Sequence, residues 1–266
     1  VLRKVAKAPV NWPDDATRLS YPDWIVERLR ADLGDEAAAD ALETMNRAPE
    51  VNVRDDGYTQ DRSSERVAAA LGAEAGDLVV DVCAAPGGKA TALAGAGAHV
   101  VAADLRPKRV RLVAGNARRT AADRPDSGAV WPLVADARHA PLRAGVADIV
   151  LVDAPCSGLG VLRRRPDARW RITANDVDEL SVIQSAILDA SAELVAPGGL
   201  LAYSVCTLTR SETIDVAERF ADTHPEFEAL APPEDPWIQW GSGALLLPQA
   251  DDSDGMALFA WRRPLS

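Results

Sequence analysis

The sequence predicts an α/β fold: a doubly wound, Rossmann-like sheet of mostly parallel strands, closed by a C-terminal antiparallel hairpin and preceded by a small N-terminal helical appendage. Three observations predict it. From Leu78 onward, short apolar runs alternate with longer segments of helical character, the pattern of a parallel sheet covered by helices. The first run passes into a glycine-containing turn and then a helix, as in nucleotide-binding sheets. Acidic residues stand at the carboxyl ends of the three runs that follow, at Asp104, Asp136 and Asp153.

Five runs read as strands: Leu78 to Val82, His99 to Asp104, Val130 to Ala135, Asp148 to Asp153 and Leu200 to Val205. Helices are expected over Lys89 to Ala96, Lys108 to Ala121, Val177 to Ala196 and Glu212 to Thr223, with the triplet Pro197, Gly198, Gly199 stopping the third. Phe227 to Ala231 and Ala257 to Arg262 are expected to pair antiparallel across a long Pro-, Asp- and Gly-rich excursion. Before Asp61 the character differs. A Tyr21-Pro22 pair precedes helices from about Asp23 to Asp32 and from Asp35 to Asn46, then extended residues from Pro49 to Tyr58. Residues 1–59 therefore read as an appendage with a linker, and residues 60–266 as the main domain.

Composition bounds the possibilities. With 47% hydrophobic and 26% charged residues over 266, the chain can bury a full core, and no apolar run approaches the roughly 20 residues that cross a bilayer. Three cysteines, Cys83, Cys156 and Cys206, are too few and too odd in number for a disulfide framework, which points to a reducing cytoplasm. A net charge of -11 sits awkwardly with a polyanionic partner, because affinity for phosphate rests on lysine and arginine. Charge is unevenly spread, however. Arg163, Arg164, Arg165, Arg169 and Arg171 form one basic cluster, and Arg106, Lys108, Arg109, Arg111, Arg118 and Arg119 another.

The turn Cys83-Ala84-Ala85-Pro86-Gly87-Gly88-Lys89 carries the ligand chemistry. Gly87 and Gly88 let backbone approach a ligand closely, and Asp104, about twenty residues on, is placed to accept from two ribose hydroxyls. The turn is neither G-x-G-x-x-G nor a P-loop, since Lys89 precedes Ala90 and Thr91, and no second large domain offers a hydride acceptor. A sulfonium nucleoside, which carries no phosphate, suits the ribose and adenine contacts that Asp104 and Asp136 offer. No metal is expected.

Asp153-Ala154-Pro155-Cys156 follows the fourth strand and Cys206 closes the fifth, so both thiols reach one crevice if those strands are neighbours. Free cysteine is more often buried filler than nucleophile. Two beside a carboxylate at strand ends reverse those odds. Cytosine C5 is a poor nucleophile; a thiolate adding at C6 makes C5 reactive toward a sulfonium methyl, and a carboxyl near N3 and N4, for which Asp153 is the candidate, stabilises the charge that builds on the ring. These considerations leave open which thiol attacks.

Three strings, DVCAAPGGKATALA (Asp81 to Ala94), VLVDAPCSGLGVLRRRPDARW (Val150 to Trp170) and YSVCTLTRSE (Tyr203 to Glu212), resemble the cofactor loop and two cysteine motifs of the Sun/RsmB-type (NOL/NOP/Sun) RNA cytosine-C5 methyltransferases. The similarity runs from about Tyr58, through Gln60 to Ser64, to the LFAWRR segment. It implies a class I methyltransferase fold over residues 60–266 and S-adenosyl-L-methionine bound by Cys83, Ala84, Ala85, Pro86, Gly87, Gly88 and Lys89 with Asp104, Arg109, Asp136 and Asp153. It also implies Cys206 as nucleophile and Cys156 as the aid to product release. The implied substrate is RNA, ribosomal small-subunit RNA first and transfer RNA next, with Arg163 to Arg165 on its phosphates.

Departures accompany the resemblance. The stretch between Val51-Asn52 and Gln60-Asp61 is short, which implies a reduced RNA-binding lobe. The chain begins with Val1 rather than Met, so a helical RNA-binding domain, where present, would precede Val1. The competing reading is a catalytically silent, cofactor-binding ribosome-assembly module, motivated by the acidic charge. A small-molecule methyltransferase explains the charge but not the cysteine pair.

Overall fold

The computed structural model describes residues 10–121 and 127–265. The helices are α1 (Asp15–Leu19), α2 (Asp23–Leu33), α3 (Asp35–Thr44), α4 (Arg62–Ala70), α5 (Gly88–Gly95), α6 (Pro107–Ala121), α7 (Ala174–Ala192), α8 (Ile214–Thr223) and the short α9 (Pro248–Asp251). The strands are β1 (Leu78–Asp81), β2 (His99–Asp104), β3 (Val130–Val134), β4 (Ala147–Asp153), β5 (Val195–Val205), β6 (Glu228–Ala229), β7 (Ile238–Trp240), β8 (Gly243–Leu246) and β9 (Met256–Arg262). They form one sheet in the order β3-β2-β1-β4-β5-β9-β8-β7, with β6 also on β9. β1 to β5 run parallel; β9 pairs antiparallel with β5, and β8 and β6 antiparallel with β9. The expected sheet and hairpin are therefore present.

Alternation along the strands builds two cores, because successive side chains leave a strand on opposite faces. Val80, Val150, Val152, Leu201, Tyr203 and Phe259 enter one cluster with α7 and α8; Val79, Val100, Ile149, Leu151 and Ala202 enter the other with α4, α5 and α6. Ile25 and Leu29 of α2 and Leu42 of α3 are buried in the first cluster together with those strand residues. β3 forms one margin of the sheet, where Pro132 sits between the half-exposed Trp131 (49%) and Val134 (50%).

Four details differ from the sequence reading. α7 ends at Ala192, and Pro197-Gly198-Gly199 lies inside β5 rather than at a helix end. Pairing passes from Ala147↔Val195 to Ile149↔Leu200, so the triplet forms an irregular entry into the strand. A Cβ on Gly199 would meet the carbonyl oxygens of Ala196 and Asp148 at 2.9 Å, which is why a bare backbone stands there. α1 and α4 were not foreseen, although Asp14 and Asp61 cap them by accepting from Thr17 N and Ser63 N. The tail excursion holds the unforeseen β7–β8 hairpin, and β8 takes most of the β9 margin assigned to the Phe227 segment.

Candidate active site

Chain order reverses between β1 and its neighbours β2 and β4, and ligands of open α/β sheets sit beyond the strand ends at such a point. The turn after β1, Asp104 of β2, Asp153 of β4 and Cys206 after β5 therefore face one crevice.

Three side chains, two from α6 and one from the segment before α4, grip the carbonyls of the glycine turn. Arg109 donates from Nη2 to the Ala85 oxygen at 2.5 Å, Asn116 from Nδ2 to the Pro86 oxygen at 2.8 Å, and Arg54 from Nη1 to the Gly88 oxygen at 2.7 Å. Gly87 has a φ of +108°, and a Cβ there would lie 3.3 Å from the Val113 Cα. Because α5 starts at Gly88, its first amides have no intrahelical acceptor and are available to a ligand.

The carboxylates differ in their partners. Asp104 is buried, accepts from Arg106 N at 3.0 Å and lies 3.4 Å from Arg109 Nη1. Asp136 accepts from the Arg138 backbone and guanidinium, and the side-chain bond to Arg138 comes first among the causes that hold its pKa down to about 2. Asp81, unremarked as a site residue from sequence, is fully buried beneath the turn. Its Oδ1 accepts from Cys83 N at 3.2 Å, whereas its Oδ2 has no hydrogen-bond partner among the described residues. Burial, reinforced by the charge of Asp153, pushes its pKa up to about 8. Burial also drives the Cys83 thiol well above its ordinary value, with Asp81 adding to the effect.

Lys89 does not point at the turn. Its buried ammonium donates to Asp153 Oδ2 at 2.8 Å, and Ser204 donates to Asp153 Oδ1 at 3.2 Å. Burial alone would lower the Lys89 pKa; the charge and hydrogen bond of Asp153 and the neighbouring Cys206 outweigh it and keep the ammonium charged.

The two motif cysteines meet. Cys156 Sγ and Cys206 Sγ are 3.2 Å apart, on loops leaving the adjacent strands β4 and β5. The hydrogen bond with Cys206, together with burial, raises the Cys156 thiol far above its ordinary range, so it holds its proton at neutral pH. Behind them lies a residue the sequence reading passed over. Glu212, fully buried, accepts from Ser157 N (2.8 Å), Ser157 Oγ (2.6 Å), Gln184 Nε2 (3.0 Å), Thr207 Oγ1 (2.9 Å) and Thr209 Oγ1 (3.0 Å). Ser157 adjoins Cys156 and Thr207 adjoins Cys206, so one carboxylate ties both cysteine loops together. The signal lay within YSVCTLTRSE: an acidic residue flanked by hydroxyls in a segment bound for the interior.

The basic cluster after Cys156 is not a phosphate surface as expected. Arg163 is buried and donates to Asp252, the Ser253 oxygen and the Ala48 oxygen; Arg164 bridges Asp61 and Asp254. Arg169 is buried over the Tyr21 ring and donates to Asn46 and the Ser20 oxygen. These arginines join the main domain to the N-terminal helices and to the loop before β9. Arg165 stays exposed, and the exposed Arg171 pairs with Asp167. No helix among the described residues is long and apolar enough to cross a membrane.

A probable ribosomal RNA small subunit methyltransferase B of Bacillus subtilis is 40% identical over 174 residues, which is 64% of this chain and 38% of that protein. A ribosomal RNA small subunit methyltransferase B of Thermus thermophilus is 33% identical over 88% of this chain and 62% of its own length, so the chain spans less than two thirds of either relative. Among solved structures, NSun6 from Pyrococcus horikoshii with SFG superposes with a TM-score of 0.67 at 25% identity, over 79% of this chain and 53% of that one. Residues 68–260, which include the glycine turn and both cysteines, match the description "16S rRNA methyltransferase RsmB/F", and the chain belongs to that family of S-adenosyl-L-methionine-dependent methyltransferases.

Proposed function

We propose that this chain methylates C5 of a cytosine in RNA, small-subunit ribosomal RNA first, through a covalent bond from Cys206 to C6. The observation that carries the reading is the pair of sulfurs 3.2 Å apart beside the Lys89–Asp153 ion pair, a constellation with no use in a binding module. The names of the relatives, as ribosomal RNA methyltransferases, support the substrate class.

The crevice suits the cofactor by its donor set. Asp104 offers a buried carboxylate to ribose hydroxyls at the end of β2, and the turn offers amides at the start of α5. In this reading Cys83 to Lys89, Asp104 and Arg109 hold S-adenosyl-L-methionine, with Asp136 at the rim. That cofactor supplies an electrophilic methyl group. The Cys206 thiolate forms the S–C6 bond, and the C5=C6 electron pair is placed on C5, which takes the methyl. A water molecule acting as base takes the C5 proton, the C–H electron pair re-forms the C5=C6 double bond, and the S–C6 bond breaks with its pair returning to Cys206 as thiolate. Asp153 accepts from the cytosine amino group and so orients the ring, and the Lys89 ammonium that it holds supplies positive charge beside the ring as electron density builds there. Cys156, which keeps its proton, hydrogen-bonds the departing Cys206 sulfur.

Incubation with labelled S-adenosyl-L-methionine and ribosomal RNA tests the reading. Wild type should form 5-methylcytosine, Cys206→Ala none, and Cys156→Ala a protein–RNA adduct seen as a slow band on a denaturing gel. Retained activity in Cys206→Ala, with none in Cys156→Ala, would reverse the two roles. Cofactor binding without turnover on any RNA would instead favour the silent assembly module.

A further inference from the structure

We propose that Arg54, on the strap that precedes the family-matched residues, is a positioning residue that sets the shape of the cofactor turn. The inference rests on the reading of that turn as the S-adenosyl-L-methionine site.

A guanidinium has five N–H donors in a rigid plane, and Arg54 makes five hydrogen bonds. Nε donates to Asp56 Oδ1 at 3.1 Å, and Nη2 to Asp56 Oδ2 at 2.5 Å and Thr91 Oγ1 at 2.9 Å. Nη1 donates to Gln60 Oε1 at 2.6 Å and to the Gly88 oxygen at 2.7 Å. The side chain is only 6% exposed, and the Tyr58 ring lies beneath the guanidinium, 4.8 Å from centroid to Cζ. Thr91 accepts from Arg54 and donates to the Gly87 oxygen at 2.8 Å, so one guanidinium reaches both glycines, directly and through one hydroxyl.

The strap is itself fixed. Arg54 N donates to the Tyr58 oxygen at 3.0 Å and Gln60 N to the Asn52 oxygen at 3.1 Å, with a β-bridge between Val53 and Thr59. It also touches the turn: a Cβ on Gly88 would meet Gln60 Nε2 at 3.2 Å and Tyr58 Cε1 at 3.3 Å. Asn116, which holds the Pro86 oxygen, lies 3.4 Å from the Tyr58 hydroxyl. The segment read from sequence as a linker is thus the outer wall of the turn. A buried charge with every donor engaged resists displacement, so the carbonyl it holds stays in place while a ligand enters and leaves.

Arg54→Lys tests the assignment, because lysine keeps the charge beside Asp56 but cannot span from Asp56 to the Gly88 oxygen. Calorimetry with S-adenosyl-L-methionine should show the Kd rising about tenfold, equal to about 1.4 kcal/mol. Hydrogen exchange should show lost protection confined to the first turn of α5, where the Thr91 amide donates to the Gly87 oxygen at 2.9 Å. Should the lysine variant fold poorly, the double variant Arg54→Met with Asp56→Asn removes both buried charges and should give the same local loss. Binding within twofold of wild type would overturn the proposal, as would protection lost evenly across β1, β2 and α5, the sign of a merely structural prop. Asp104→Ala separates the two readings. Weakened binding in Asp104→Ala but not in Arg54→Lys sinks Arg54 alone; unchanged binding in both sinks the cofactor site and Arg54 with it.

Discussion

The glycine turn and the cysteine loops lie at one sheet edge and are held in opposite ways. The turn is gripped through its carbonyls by donors from outside, Arg54, Arg109 and Asn116, which leaves the amides at the start of α5 open to a ligand. The cysteine loops are gripped from inside by a single acceptor, Glu212, which collects donors from Ser157, Thr207, Thr209 and Gln184. Distributed donors can be lost one at a time. A shared acceptor fails all at once, because each donor it releases is buried and left without a partner.

That contrast orders the expected effects. The largest follows Glu212→Ala, which strands several buried donors; loss of about 3 kcal/mol of stability is expected in denaturant unfolding, with methyl transfer falling at least about a hundredfold. Glu212→Gln, which keeps the size but accepts through one oxygen, should fall between that variant and wild type. A fully stable Glu212→Ala protein would end the idea of a shared anchor. Next, Asp153→Asn should cut turnover about a hundredfold while cofactor affinity drops far less, measured as separate kcat and Kd values. Equal losses in both would place Asp153 on the cofactor side of the crevice instead.

A third effect concerns pH. Asp81 has its pKa raised from 3.8 to about 8, so its contribution to stability is fully present below pH 3.8 and is lost as pH rises through 8. Asp81→Asn should therefore gain stability over wild type as pH goes from 5 to 8, seen as a growing difference in Tm; a constant difference would show that Asp81 ionises normally. The smallest effects separate the arginines. Arg163→Ala should lower stability by about 2 kcal/mol because Asp252 and two backbone oxygens lose their partner. Arg165→Ala should leave stability unchanged and, if the exposed guanidinium meets a phosphate, reduce the salt slope of RNA binding by about one.

The legible parts of the sequence were those with a strong local signal. β1 to β5 are apolar runs bounded by acids and glycines, and α6 carries a long helical pattern, so their places were foreseen to within a few residues. Tertiary contacts decided the rest. Pro197-Gly198-Gly199 has the local chemistry of a helix stop, yet the crowding of Gly199 against two carbonyl oxygens shows it shaped by its neighbour β4. β7 and β8 are three and four residues long, too short for a period-two pattern to show. At the site, the cysteine pair and the turn could be read from spacing, because strand ends converge in a parallel sheet. Glu212, Asp81 and Arg54 could not, since their roles depend on partners far away in sequence and on burial. For the same reason the run of arginines misled: whether a guanidinium faces solvent or an internal carboxylate is not written in its neighbours.

One quieter feature governs how the molecule meets its own kind. Pro132, in the middle of the marginal strand β3, lacks the amide hydrogen that a docking strand would need as a donor. The apolar rings and methyls on either side of it, Trp131 and Val134, therefore border a ladder that cannot be extended. The β3 margin is thereby a poor template for a further strand, whatever meets the sheet at β7.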